Sequence, residues 1–182
     1  MKKSLVYLVF FAALAIGSRL IAPWPNFTAM IAVTFAGGLL FKNKAAALLF
    51  PLVIVFFSDL IINNTLYSTG SMTWLTSGAI YIYGAYALVA ILGFFNSASS
   101  SKMKSLALGG LVSSILFYLI TNLGVWAGGI LYPMDPSGLM SAYLAGIPFL
   151  MNQVLGTLVY GAIIYSFYRV YENSTEQAEL AK

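Results

Sequence analysis

The chain reads as an all-α, polytopic membrane protein, one bundle of six transmembrane helices with both termini in the cytoplasm. Three observations predict this. Of 182 residues 60% are hydrophobic and 8% charged, with a mean hydropathy of +0.89, which leaves too little polar surface to cover a soluble globule. The apolar residues fall in long unbroken runs without period-two alternation, so helices rather than barrel strands are expected. Eight of the nine Lys and Arg residues fall in two loops and two tails of such a bundle, and basic residues are retained on the cytoplasmic side during insertion.

The first span covers residues 4–22 and follows Lys2 and Lys3. Met-Lys-Lys, an apolar core and Ala13-Leu14-Ala15 also describe a secretory signal peptide. The apolar run continues past Arg19 to Ala22, however, and the charge pattern works with the span kept, so it is read as retained. Pro23-Trp24-Pro25-Asn26 makes the first outer turn, and the second span covers 24–41. Lys42 and Lys44 mark an inner loop before the third span, 45–62. The polar stretch from Asn63 to Ser77 lies outside, with Tyr67 and Trp74 suited to the membrane interface. A fourth span, 78–95, leads to the inner loop Asn96 to Ser101, with Lys102 and Lys104, and then to the fifth, 105–127. The rigid outer loop Tyr132-Pro133-Met134-Asp135-Pro136-Ser137-Gly138 precedes the sixth, 143–168, where Pro148 frees a carbonyl and is expected to kink the helix. Each span has roughly the twenty residues that cross about 30 Å of hydrocarbon. Residues 1–171 thus form one transmembrane domain, and 172–182, carrying Lys182 at the end, form a solvated tail.

Several function classes drop out. The formal charge of +4 is explained by topology rather than by a nucleic-acid partner. There is no cysteine and no histidine, which removes disulfides, thiolate chemistry and the commonest metal ligands; no metal or cofactor is expected. No P-loop, Gly-x-Ser-x-Gly or His-Glu-x-x-His motif occurs, so ATP hydrolysis by this chain and intramembrane hydrolysis are not expected. A general base would have to be Asp59, Asp135 or a perturbed Lys or Tyr, and the chain is not read as an enzyme. Neither a channel filter nor a long internal repeat is visible.

The polar residues inside the spans concentrate in the outer halves: Ser18 and Arg19, Ser58 and Asp59, Tyr81 and Tyr83, and Thr121, Asn122 and Trp126. An outward-opening cavity would produce this asymmetry. Ser114, Tyr118, Thr121 and Asn122 share one face of the fifth span, and Asn152, Gly156 and Tyr160 share one face of the sixth, with Gln153 beside them. These amides and hydroxyls suit either a binding site or interhelical hydrogen bonds. An unpaired charge in hydrocarbon costs several kcal/mol, so Arg19 and Asp59 need a partner or a wet cavity. They could pair with one another, Arg19 could hold a substrate carboxylate or phosphate, or each could reach interfacial water. The substrate-binding candidates are Arg19, Asp59, Tyr81, Asn122, Trp126, Asn152 and Gln153. Small residues at Ala13 and Gly17, Ala32 and Ala36, Gly37-Gly38, Gly109-Gly110 and Gly161 are expected to let helices approach closely.

Ser18-Arg19-Leu20, Asn26-Phe27-Thr28, Phe35-Ala36-Gly37-Gly38, Ser58-Asp59-Leu60 and Thr121-Asn122-Leu123-Gly124-Val125-Trp126, in that order, resemble an uncharacterised bacterial integral membrane family. That family carries Asn-Phe-Thr-Pro after its first helix, Gly-Gly in its second, Ser-Asp at the outer end of its third and Thr-Asn-x-Gly-x-Trp in its fifth. Here Ala29 stands where the proline would be, so a looser turn is expected. Tyr132-Pro133 and Ile147-Pro148-Phe149 extend the resemblance over most of the chain. The layout is more distantly similar to the S components of energy-coupling-factor (ECF) vitamin transporters, small six-helix bundles with an outward-facing site that dock a transmembrane coupling subunit driven by ATPases. That resemblance implies a multi-pass protein of the bacterial inner membrane that binds a small molecule, possible partners being the lipid bilayer and such a coupling subunit. The alternative is a structural or assembly membrane protein without a small-molecule substrate.

Overall fold

The computed structural model describes residues 2–66 and 70–180; Tyr67 and Lys182, and the side chains of residues 2–4 and 175–180, lie outside the described part. The fold is all-helical, with no strand among the described residues. The helices are α1 (Lys2–Leu20), α2 (Met30–Leu40), α3 (Lys44–Thr65), α4 (Ala79–Phe95), α5 (Lys102–Ala127) and α6 (Pro136–Leu180). Helix α5 passes through a π-helical turn at Ser105–Gly109. Helices α3, α5 and the Pro136–Ser174 part of α6 are long and apolar enough to cross a membrane; α1, α2 and α4 are apolar but shorter.

The short helix is the centre of the bundle. Every residue of α2 from Met30 to Leu39 is buried, and α2 touches each of the other five helices. Its partner across the tightest crossing is α4. A Cβ at Gly38 would overlap the Ala90 carbonyl, and one at Gly93 would overlap the Phe35 carbonyl. Only two glycines facing one another let these backbones approach so closely.

Helix α2 begins at Met30, six residues later than the sequence reading placed it. The delay has a local cause. Asn26 sits at φ 64°, in the left-handed region that Asn tolerates better than most residues. The Phe27 and Thr28 amides donate to the Trp24 and Asn26 carbonyls, at 3.1 and 2.9 Å. The Ala29 amide then donates to Ser18 Oγ at 2.9 Å, and that hydroxyl donates onward to the Ala15 carbonyl. Ser18, on α1, therefore ties down the N-terminal end of α2, whose preceding residue has no side-chain cap of its own. Eleven residues reach about 16 Å.

The turn before α2 is seated on α6. Asn152 Nδ2 donates to the Pro25 carbonyl at 3.1 Å; a Cβ on Gly156 would stand 3.0 Å from the Thr28 nitrogen; and the Tyr160 ring lies 5.8 Å from that of Phe27. The i, i+4, i+8 stripe seen in the sequence is thus the bed for Pro25 to Thr28.

Helix α6 is longer than expected at both ends. It starts at Pro136, where a proline suits the first helical turn, and stays helical through Pro148 to Leu180. The stretch from Glu172 to Leu180 contains Glu, Gln, Ala and Leu, all good helix formers, so the polar tail continues the helix. Toward its C-terminal end α6 is zipped to α1 by stacked Phe10 and Phe167, 3.8 Å apart, and by the Tyr7 hydroxyl, which donates to Glu172 at 3.0 Å.

Two small-residue expectations are corrected. A Cβ added at Gly17 or Gly161 would meet nothing within 4 Å, so these glycines do not mediate close approach inside the bundle. Gly109 and Gly110 do, against the Phe35 ring and the Thr157 methyl.

Candidate functional site

At the end of the bundle that holds Arg19 and Asp59, a cavity of about 390 Å³ lies between α1, the 23–29 turn, α2, α3, α4, α5 and α6. Its polar lining comes from Arg19, Asp59, Asn26, Asn63, Thr76, Thr121 and Gln153, and its apolar floor includes Met30, Ile31, Tyr86 and Phe117. The non-helical turn contributes Asn26 and Thr28 directly.

Arg19 and Asp59 form an ion pair. The pairing gives the buried Asp59 carboxylate its counter-charge; α3 runs on to Thr65, so Asp59 stands more than a turn inside the helix and away from its negative end. The second carboxylate oxygen accepts from the Thr76 hydroxyl at 3.2 Å, and Thr76 accepts from Asn63 Nδ2 at 3.0 Å. One residue further along, Asn64 holds both the amide and the carbonyl of Thr73, at 2.8 Å each. The connection between α3 and α4 is therefore tied to the end of α3, and it delivers Thr76 to the ion pair. On the opposite wall, Gln153 is buried and donates to the Ser114 carbonyl at 2.9 Å.

Of the seven candidates from sequence, Arg19, Asp59 and Gln153 are brought together here. The other four stand elsewhere. Asn122 donates to the Tyr118 carbonyl of its own helix at 2.9 Å, and its Oδ1 lies where a side chain on Gly146 would stand. Asn152 holds Pro25, as described above. Tyr81 packs over Gly124, and Trp126 Nε1 donates to the carbonyls of Pro133 and Asp135 at 3.1 and 3.2 Å. Asn63 and Thr76 were missed as lining residues, though the run of Asn and Thr just past Asp59 was a visible signal. The polar face of α5 is met by α6: Ser114 donates to Thr157 at 3.1 Å, and Tyr118 to the Tyr143 carbonyl at 2.6 Å.

The motifs that carry the family resemblance thus have distinct physical jobs. Ser18 anchors α2, Arg19 and Asp59 pair, Gly38 permits the α2–α4 crossing, and Gly124 and Trp126 receive Tyr81 and the 133–135 loop. A family model described as a family of unknown function, DUF6580, matches residues 1–178. The chain belongs to DUF6580. No curated protein and no solved structure matches it. For this DUF6580 chain, the match spans every element that builds the cavity.

The loop before α6 offers a pH test. The Ser137 hydroxyl and the Gly138 amide both donate to Asp135 Oδ1, at 2.7 and 2.8 Å. These bonds, Ser137's first, hold the Asp135 carboxyl below its ordinary value. A carboxyl depressed in the folded state contributes stability that is present above the unfolded-state value and lost as pH falls through the folded-state value. The start of α6 should therefore loosen only below about pH 4. With Trp24 and Trp74 replaced by Phe, the emission of Trp126 should report that transition, and Asp135→Asn should remove it.

Proposed function

We propose that this chain is a six-span protein of the bacterial inner membrane, both termini inside, that binds a small polar molecule from the outer side and assists its uptake. It plays the part of an ECF S component rather than of an enzyme. The observation that carries this reading is the cavity beside Arg19 and Asp59: it brings two charges of opposite sign and several amide and hydroxyl groups from distant parts of the chain to one concave surface. Such convergence of a few polar groups on an apolar floor is what small-molecule sites look like. Both charges serve a zwitterionic or uncharged polar ligand better than a simple anion, because Asp59 would repel one.

The topology fits the reading. Lys42 and Lys102 share one cavity, and Lys44 lies 4.5 Å above the ring of Phe94, which lines it too. Arg19, Asn26 and Thr76 line the other cavity. Basic loops on one side and the polar cavity on the other match a cytoplasmic and an outer face. Helix α2 is short, but from Met30 to Leu39 it is buried among the other five helices, so its own backbone need not face lipid.

One observation favours a rival, a structural membrane protein without substrate: Arg19 and Asp59 satisfy one another, and Thr76 adds a hydrogen bond. The two readings part on whether the cavity is used. The protein purified in mild detergent should carry a small molecule identifiable by mass spectrometry, and Gln153→Ala and Thr76→Val should reduce its occupancy. Wild-type protein free of any such molecule, after purification from cells grown in rich medium, would support the structural reading.

A further inference from the structure

A second cavity, of about 700 Å³, lies at the opposite end of the bundle. Its charged lining is Lys42 from the α2–α3 loop, Lys102 at the start of α5, and Glu172 on α6. The Glu172 carboxylate accepts from the Tyr7 hydroxyl at 3.0 Å. Lys102 Nζ donates to the Ser97 carbonyl at 2.6 Å, which holds the ammonium at the cavity wall. Lys44 adds a third cation beside the wall, over the Phe94 ring. The negative end of α2 and the positive end of α5 both meet this region and offset one another, so the side chains decide its sign, and the sign is positive.

The same cavity has apolar walls, Leu39, Leu40 and Phe41 among them. Beside Phe94 and Lys102, Phe95 and Met103 are exposed, as residues facing acyl chains would be. Ammonium groups above an apolar recess fit a ligand with an anionic head and an apolar body.

We propose that this cavity binds a phosphate-bearing anion, with Lys42 and Lys102 holding the phosphate oxygens through charge-assisted hydrogen bonds. The phosphate belongs either to a lipid headgroup or to a soluble ion. Lys42 and Lys102 outnumber the one lining carboxylate, Glu172, which accepts from the Tyr7 hydroxyl. This site is separate from the outer cavity and does not depend on the uptake reading.

The test uses the full chain in dodecyl maltoside, with phosphatidylglycerol, phosphatidylcholine and inorganic phosphate as probes. Native mass spectra should show phosphatidylglycerol retained over phosphatidylcholine by about tenfold, a ratio worth about 1.4 kcal/mol. Lys42→Gln with Lys102→Gln should abolish the preference, while Lys42→Arg with Lys102→Arg, and Lys104→Gln outside the cavity, should keep it. If inorganic phosphate displaces the lipid and raises the thermal midpoint of the wild type only, the soluble source is assigned; if it does neither, the lipid source is. Equal retention of the two lipids by the wild type, with no response to phosphate, overturns the proposal. So does a monodisperse glutamine variant that keeps the preference. Should that variant aggregate, the wild-type selectivity decides alone.

Discussion

Arg19→Met is expected to destabilise the protein by about 3–5 kcal/mol, because it leaves a buried carboxylate without its counter-charge. Asp59→Asn should cost less. The asymmetry comes from exposure: the Asp59 side chain is 6% accessible and that of Arg19 18%. An abandoned Asp59 keeps the Thr76 hydroxyl, whereas an abandoned Arg19 can swing its long side chain toward solvent. Asn at 59 can also still accept from Thr76. The measurement is the thermal unfolding midpoint in detergent for the two single variants and for Arg19→Met with Asp59→Leu. If the pair is only structural, the double variant should recover most of the loss, since replacing both partners by apolar groups is often neutral. Bound ligand followed in the same samples then separates the two readings of the cavity. A double variant that regains stability but not the co-purifying molecule marks Arg19 and Asp59 as binding groups. One that regains both places the ion pair outside binding. A midpoint unchanged in Arg19→Met would sink the claim that Asp59 depends on this partner.

The same pair shows what could and could not be read from the sequence. Two opposite charges within apolar runs had to be explained, and depth alone offered pairing, ligand contact or interfacial hydration; choosing among them needed the distance between α1 and α3. The apolar runs located all six helices, since burial of an apolar helix needs no knowledge of its neighbours. Ends were harder. Pro23 and Pro25 announced a turn, but the left-handed conformation of Asn26 and the grip of Ser18 on Ala29 are what delay α2 to Met30. Periodicity correctly put Asn152, Gly156 and Tyr160 on one face, yet that face meets the Pro25–Thr28 turn rather than the cavity. A helical repeat specifies which side chains point together, not what they meet. Asn122 and Trp126 illustrate the same limit: an amide can satisfy itself on its own helix, and an indole on a loop, without lining the cavity beside Arg19 and Asp59.

Glycines supply the sharpest contrast in expected effect, because identical substitutions should act in opposite directions. Gly38→Val should prevent stable folding, and even Gly38→Ala should lower the unfolding midpoint, by about 1–3 kcal/mol of stability. The added carbon would run into the Ala90 carbonyl and stand 2.7 Å from the Phe94 nitrogen and 3.0 Å from the Gly93 carbonyl carbon. All three are backbone atoms of α4, so no side chain can turn aside. Relief would require α2 and α4 to separate, and α2 is the helix that every other helix packs against. Gly17→Ala and Gly161→Ala meet nothing within 4 Å, and alanine in a helix is favoured over glycine by about 0.5–1 kcal/mol. Those two variants should therefore unfold at the wild-type temperature or slightly above it. Gly109→Ala lies between the extremes, because the obstacle is the ring of the fully buried Phe35, and Phe35→Leu in the same chain should recover part of the loss. Midpoints measured side by side for Gly38→Ala, Gly17→Ala and Gly161→Ala test the central crossing. If Gly38→Ala is as stable as Gly17→Ala, the α2–α4 approach is wider than described and the cavity built on that crossing has a different shape.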